Sequence, residues 1–291
     1  MKTVVVLSGK GGVGKSSLTA SLAVLLGNKR KIVTVDCDVD APNLALVLGV
    51  KKFDSREKIS TNEKARLIES KCTGCKKCLI CPFGAITWNG KKGKPVINKF
   101  LCEGCGVCSL VCPEGAIVLK KTQNAEVLTA RTKYGFPLVL GQLKMGESGS
   151  GKVVSIVRQK AEEIARKVDA DTILIDSSPG IGCPVIASIR GSDFVIAITE
   201  PTPSAFSDLR RALRVVEHFG IDYGLVINRW DLNREYTKKI EAFGRKRDIP
   251  VLGKLPYDRS FVDALVNLTP VVIYDKSLEP LFQGILKKVF Q

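Results

Sequence analysis

Short runs of β-branched and aliphatic residues alternate along the chain with stretches where leucine and valine recur every three or four positions. Residues 3–8 form the first apolar run. Leu18, Leu22, Leu25 and Leu26 follow at helical spacing, and Ile32–Asp36 is a second run. An apolar run, a periodic segment and another apolar run predict a β-loop-α-β unit in a parallel sheet covered on both faces. The rhythm stops after Asp54 and returns beyond Thr122. From there residues 156–168 read as a helix, and Thr172–Asp176, 194–198 and 224–228 read as three more buried strands, with a helical segment over 205–219. Near the end, Leu281, Phe282, Ile285, Leu286, Val289 and Phe290 mark one face of a helix docked on the core. Pro280 and Gly284 suit a close local fit. The pattern predicts an α/β domain with a mostly parallel sheet flanked by helices, divided as 1–65 and 123–291 around an insert at 66–122. Insertion is tolerated where chain ends meet at an exposed loop.

Composition narrows the class. The chain has 291 residues, 45% of them hydrophobic and 25% charged, which is ordinary for a soluble protein with a full core. No apolar run reaches eighteen residues, so no transmembrane helix is expected. The start, Met1 to Leu7, is too short for a signal peptide and reads as a strand of a cytoplasmic protein. The formal charge of +16 raises the question of nucleic acid. The positive residues are scattered, with only small clusters at 91–94 and 245–247, so a solvated lysine-rich surface is the better reading.

The cysteines change the picture most. Eight of the ten lie between Cys72 and Cys112; only Cys37 and Cys183 lie elsewhere. In a reducing compartment such a concentration points to metal or redox use. The insert is an internal repeat. Cys72, Cys75, Cys78 and Cys81, followed by Pro82, are echoed by Cys102, Cys105, Cys108 and Cys112, followed by Pro113, and each copy continues into Gly-Ala-Ile. The second copy has the bacterial ferredoxin spacing, in which three close thiolates hold one [4Fe–4S] cluster and the fourth ligates the other. The first copy is one residue shorter before its last cysteine. By resemblance to a ferredoxin with an α+β fold, one cluster takes Cys72, Cys75, Cys78 and Cys112, and the other takes Cys102, Cys105, Cys108 and Cys81. A pair of structural zinc sites is the competing reading. Absorbance near 400 nm separates the two.

Residues 9–16, Gly-Lys-Gly-Gly-Val-Gly-Lys-Ser, lie between a strand and a helix and fit G-x-x-x-x-G-K-[ST]. Glycines let backbone N–H groups approach phosphate oxygens, and the following helix N-terminus adds partial positive charge. Gly11, Gly12, Val13, Gly14, Lys15, Ser16 and Ser17 are therefore candidate phosphate contacts, with Lys15 on the β- and γ-phosphates and Ser16 on Mg²⁺. A second partial match, 146–152, has Val153 where Ser or Thr would hold the metal, and reads as a flexible Gly/Ser loop.

Lys10, just after the first glycine, makes the loop resemble the deviant Walker A signature of the MinD/Mrp/nitrogenase-iron-protein ATPases. The resemblance covers the parts outside the insert. It implies ATP hydrolysis within a nucleotide-sandwich homodimer, in which Lys10 reaches the partner's phosphates. It implies that Asp36 serves the Mg²⁺ water shell and that Asp38 orients the attacking water. Asp176, in Asp-Ser-Ser-Pro-Gly, would be the Walker-B-like Mg²⁺ partner, and Gly180 would sense the γ-phosphate. Asn228, Arg229, Pro256 and Asp258 would lie at the base. Asp40 reads as a helix cap near Pro42. Cys183 lies seven residues after Asp176, the spacing of a cluster cysteine in the nitrogenase iron protein, so a bridging cluster ligand there competes with a plain thiol. Cys37 reads as a small buried thiol and His218, the only histidine, as packing or surface.

Together these features predict an iron–sulfur ATPase. Nucleotide-driven dimerisation would be coupled to cluster assembly or transfer to an apo-acceptor, or to electron transfer with a redox partner. The alternative from another class is a spatial-organising switch of the MinD/ParA kind with structural or sensory clusters.

Overall fold

The computed structural model describes residues 1–290. In chain order its strands are β1 (Lys2–Ser8), β2 (Ile32–Asp36), β3 (Ser55–Ile59), β4 (Asn62–Leu67), β5 (Ile86–Asn89), β6 (Lys94–Ile97), β7 (Ile117–Thr122), β8 (Ala125–Arg131), β9 (Pro137–Leu143), β10 (Thr172–Asp176), β11 (Phe194–Thr199), β12 (Tyr223–Asn228) and β13 (Val251–Leu255). The helices are α1 (Lys15–Gly27), α2 (Leu44–Val47), α3 (Val107–Leu110), α4 (Ser150–Lys167), α5 (Cys183–Ile189), α6 (Pro203–His218), α7 (Arg234–Lys246), α8 (Arg259–Val266), α9 (Val271–Tyr274) and α10 (Glu279–Val289).

The chain divides into two compact units. One comprises Met1–Arg56, Val127–Gln142 and Ser150–Gln291; the other comprises Glu57–Glu126 and Leu143–Gly149. The large unit is built on a sheet in the order β13-β12-β11-β1-β10-β2-β9-β8-β3. The pairings from β13 through to β9 are parallel. Strand side chains alternate between faces. Val4, Val6, Leu174, Ile196 and Ile198 join the cluster that buries Leu18, Leu22 and Leu25 of α1 with Phe282 and Ile285 of α10. Their neighbours Val5, Leu7, Ile173, Ile175, Val195 and Ala197 are equally buried but lie outside that cluster, on the other face. There α4 packs on β2 and β10, and α6 packs on β1 and β11. A sheet covered on both sides explains why its strands read as unbroken apolar runs. The α10 helix docks on β13 and α1, burying Phe282, Ile285, Leu286 and Val289. Among the described residues no helix is long and apolar enough to cross a membrane.

The small unit has two antiparallel ribbons. β4 pairs with β7 from Asn62↔Thr122 to Leu67↔Ile117, and β5 pairs with β6 from Ile86↔Ile97 to Asn89↔Lys94. The repeat in sequence is a repeat in conformation. Gly74 and Gly104 share positive φ (78° and 68°), as do Lys76 and Gly106 (61° and 83°), and Gly84 and Gly115 (61° and 56°). Each third cysteine lies in a short helical turn, Lys77–Ile80 or α3. The segment Leu143–Gly149 returns to this unit. Glu147 pairs with the buried Lys64 at 3.0 Å, and the amides of Asn62 and Asn124 donate to the Ser148 carbonyl.

Candidate nucleotide site and thiol-lined hollows

The phosphate loop runs from the end of β1 into α1. Gly12 and Gly14 have φ of 80° and 95°, a region that suits glycine. Gly14 is the N-cap of α1; no side chain caps the helix and its first turn holds no acid. Its free N–H groups and macrodipole are therefore available to an anion. The loop is fixed from below, since the Asn228 amide donates to the Val13 carbonyl at 2.8 Å and a Cβ on Gly14 would meet that amide nitrogen at 2.4 Å.

Behind the loop lies a buried charged cluster. Lys15 Nζ donates to Asp176 Oδ1 at 2.8 Å, and Ser16 Oγ donates to Asp176 Oδ2 at 2.6 Å. Thr19 Oγ1, which no motif singled out, also donates to Asp176 Oδ1, at 3.0 Å. Burial works to lower the pKa of Lys15, but the carboxylates of Asp176, Asp36 and Asp38 outweigh it and hold the ammonium above the ordinary lysine value. Asp36 is fully buried. Burial, and then the neighbouring Asp176 charge, push its carboxyl up to about 7, against the pull of Lys15 and of N–H donors from Leu44 and Asp38. Burial also raises Asp38, which is half-buried. The expected cap Asp40 is exposed. The Leu44 N–H goes instead to Asp36 at 2.9 Å, so Asp40 makes no cap.

A cavity of about 610 Å³ opens over the loop, lined by Gly11, Gly12, Gly14, Lys15, Ser16, Ser17 and Asp38 at one end and by Asn228, Arg229, Pro256 and Asp258 at the other. The buried hydroxyl of Ser8, also in its lining, has no hydrogen-bond partner. Asp258 is the N-cap of α8, accepting from the Ser260 N–H at 2.7 Å. The sequence reading missed the apolar wall: Leu46 and Val47 of α2, and Phe261, Val262 and Leu265 of α8. Leu46, Val262 and Leu265 are largely exposed, a cost that signals an apolar ligand face. The reading also missed Glu200, at the end of β11. Its carboxylate meets Arg229 at 2.9 Å and Lys10 at 3.6 Å. Lys10 is thereby held outside the cavity of its own chain, and its side chain is 42% exposed. Gly180 donates its N–H to the Ser8 carbonyl at 2.9 Å.

In the small unit the eight cysteines surround two hollows. One is lined by Cys72, Cys75, Cys78 and Cys112 with Leu67, Trp88 and Ile117. The other is lined by Cys81, Cys102, Cys105 and Cys108 with Phe83, Ile86 and Leu119. Each thus takes three thiols from one copy of the repeat and the fourth from the other. All ten cysteines are free thiols. Burial, with neighbouring thiols, raises the Cys78 and Cys108 pKa values. Backbone N–H groups already point at two sulfurs, Ala65 at Cys102 (3.4 Å) and Ala116 at Cys112 (3.3 Å). Among the described residues no three His, Cys, Asp or Glu side chains converge on one metal-ion position.

Cys183 lines neither hollow. It opens α5, is exposed, and lies beside Gly151, where a Cβ would stand 2.9 Å from its own. Gly151 and Lys152 belong to the first turn of α4, so the second phosphate-loop match is partly helix. Cys37 is fully buried, and burial drives its thiol pKa far up, so it is an inert packing group.

Comparison with known proteins bears on the large unit first. The CobQ/CobB/MinD/ParA nucleotide binding domain matches residues 4–271. An uncharacterized protein of Methanocaldococcus jannaschii is 39% identical over 81% of this chain and 82% of its own. The iron-sulfur cluster carrier protein of the same organism is 22% identical over 99% of this chain and 83% of its own. The septum site-determining protein MinD of Pyrococcus horikoshii, solved with Mg-ADP, has the same fold. Its TM-score is 0.62 at 20% identity, covering 100% of this chain and 96% of that one.

Proposed function

This chain belongs to the CobQ/CobB/MinD/ParA family of nucleotide-binding ATPases, and on that premise we propose that it couples an ATP-driven dimer cycle to the handling of iron–sulfur clusters in an inserted ferredoxin-like module. One observation carries the proposal: two hollows, each lined by four cysteines with the fourth exchanged between repeats, lie in the same chain as a phosphate loop. Four thiols spaced around a hollow suit a four-iron cubane, whereas zinc needs four sulfurs about 2.3 Å from one point. The N–H groups of Ala65 and Ala116 would hydrogen-bond coordinated thiolates. Such clusters would supply one-electron chemistry or transferable iron and sulfide.

At the nucleotide end, the chain's own groups divide the work. The N–H groups of the loop and α1 bind phosphate oxygens, and Lys15 neutralises their charge. Ser16, Asp36 and Asp176 would hold Mg²⁺ with its waters, Mg²⁺ supplying further charge neutralisation. The unpartnered Ser8 hydroxyl and the open helix N-terminus fit such a ligand. Asp38 aligns the attacking water. The apolar wall of α2 and α8 receives the base, whose edge meets Asn228, Arg229, Pro256 and Asp258. In the dimer Lys10 leaves Glu200 for the partner's phosphates. Exposed Cys183, at the start of the helix after the Asp176 loop, would lie where nucleotide state changes its surroundings and could bridge a further cluster. Iron counting on Cys183→Ala with and without nucleotide tests that part.

The main test incubates iron-loaded protein with an apo-acceptor, with and without MgATP. ATP-dependent activation of the acceptor, or ATP-dependent electron transfer to a dye, is the expected result. No effect of ATP on either, together with hydrolysis stimulated by lipid or DNA, would favour the spatial-organising switch that the MinD fold also accommodates.

A further inference from the structure

The two halves of the thiol unit carry charge very unequally. Between Glu69 and Glu103 the chain has no acidic residue and seven lysines: Lys71, Lys76, Lys77, Lys91, Lys92, Lys94 and Lys99. From Phe100 to Thr122 the charges cancel, with Glu103 and Glu114 against Lys120 and Lys121. The fold gathers the first set beside one hollow. A Cβ on Gly74, next to Cys75, would stand 3.2 Å from the Gly93 carbonyl, so the cysteine loop lies against the β5–β6 turn that carries Lys91 and Lys92. Lys76 Nζ sits 5.1 Å from the centre of the Trp88 ring; both line the hollow of Cys72, Cys75, Cys78 and Cys112, whose single carboxylate is Glu114. Next to it, Arg66, Lys92, Lys94 and Lys99 line a groove of about 330 Å³ that holds one carboxylate, Glu69. Lys71, Lys76, Lys77, Lys91, Lys92 and Lys99 are exposed, and so is Cys75.

We propose that this lysine face docks an acidic protein surface against the hollow of Cys72, Cys75, Cys78 and Cys112, while the other hollow is left outside the contact. Like-signed charge packed at this density steers an oppositely charged partner and fixes where it lands. The chemistry favours carboxylates over nucleic acid. The run contains no arginine, the side chain suited to bidentate phosphate contacts, and its one tryptophan is half-buried beneath Lys76, not splayed for base stacking. What the partner exchanges there rests on the iron–sulfur reading; the docking itself does not.

The test titrates the full chain, iron-loaded and apo, with a short polyglutamate peptide at several salt concentrations. Trp88 fluorescence, read in a Trp230→Phe background, is the signal, and iron content and absorbance near 400 nm are recorded on the same samples. Binding is expected to weaken steeply with salt. The double variant Lys91→Glu/Lys92→Glu, on an exposed turn, should weaken it about tenfold or more. The double variant Lys51→Glu/Lys52→Glu, an exposed pair in the nucleotide unit, should leave it within about twofold, as a surface pair away from the site should. The inference is overturned if both double variants lose affinity equally, if Lys91→Glu/Lys92→Glu binds like the native chain, or if a single-stranded oligonucleotide binds the same lysines more tightly than the peptide. Failure of the chain to take up iron, with the lysine-dependent binding intact, would break the cluster reading and leave the docking face standing.

Discussion

The two units of this chain solve the problem of a core in different ways. The nucleotide unit buries a sheet between two helical layers, and behind the phosphate loop its core is a continuous apolar cluster that takes in Val4, Leu18, Phe282 and Ile285. In the thiol unit the buried cluster is Ala65, Cys78, Ala85, Ile86, Cys102, Cys108 and Ile117, and three of these seven are cysteines. A unit this small rarely holds together on apolar burial alone and leans on metal or disulfides. In the first unit a ligand visits a finished structure; in the second, on the proposed reading, the ligand completes the core. ATP can therefore come and go without unfolding its site, whereas on that reading loss of a cluster would be a folding event.

The largest expected effect follows directly. Stripping iron with a chelator should leave amide-exchange protection in the nucleotide unit and abolish it over 57–126, because metal affinity there is folding free energy, roughly 10 kcal/mol in comparable small metal domains. Equal protection in both states would mean the thiol unit holds its own core. Next in size is Lys15→Ala, expected to cut ATP turnover by about a hundredfold or more through lost charge neutralisation. It should also cost roughly 3 kcal/mol of stability in the nucleotide unit, since Asp176 loses its buried counter-ion; denaturant unfolding reads this part. Gly104→Ala comes third. A Cβ there would stand 2.1 Å from the Glu63 carbonyl oxygen, at φ of 68°, so the thiol unit should lose about 2 kcal/mol or more while the nucleotide unit is unmoved.

A pH dependence distinguishes the units as well. Asp36 titrates near 7 in the fold against an ordinary value of 3.8. Between these values the folded chain binds the extra proton, so stability of the nucleotide-free protein should fall as pH rises from about 4 to 7. With Asp36 serving Mg²⁺ as proposed, the ion would need the ionised carboxylate, so MgATP affinity should drop as pH falls below about 7. Calorimetry across that range checks both signs, and Asp36→Asn should flatten them. The smallest effect is Thr202→Ala, which removes the N-cap oxygen that accepts from Ala205 at 3.2 Å. About 1 kcal/mol of nucleotide-unit stability should go, with no change in iron.

What could be read from sequence divides along the same line as the units. Period and length marked the parallel strands because a sheet covered on both faces must be apolar at every position. The phosphate loop was legible because glycines, lysine and serine must stand in fixed order between strand and helix. The grouping of the cysteines was legible because the run repeats, and the fold brings three thiols of one copy and one of the other to each hollow. Contacts made far along the chain left no such trace. The return of Leu143–Gly149 to the thiol unit depends on Lys64 and Glu147, 83 positions apart and individually unremarkable. The capping of Leu44 by Asp36 rather than Asp40 depends on how the chain turns after β2. Glu200 and the apolar wall of α8 look in sequence like any strand-end acid and any amphipathic helix, and only the fold brings them to the cavity.

The coupling of the two units is tested most directly by the rate at which a ferrous chelator strips iron from the loaded protein, with and without MgATP, in the native chain and in Lys15→Ala. The account predicts that MgATP changes the native rate several-fold and leaves the Lys15→Ala rate untouched. Identical rates in the native chain with and without nucleotide would contradict it.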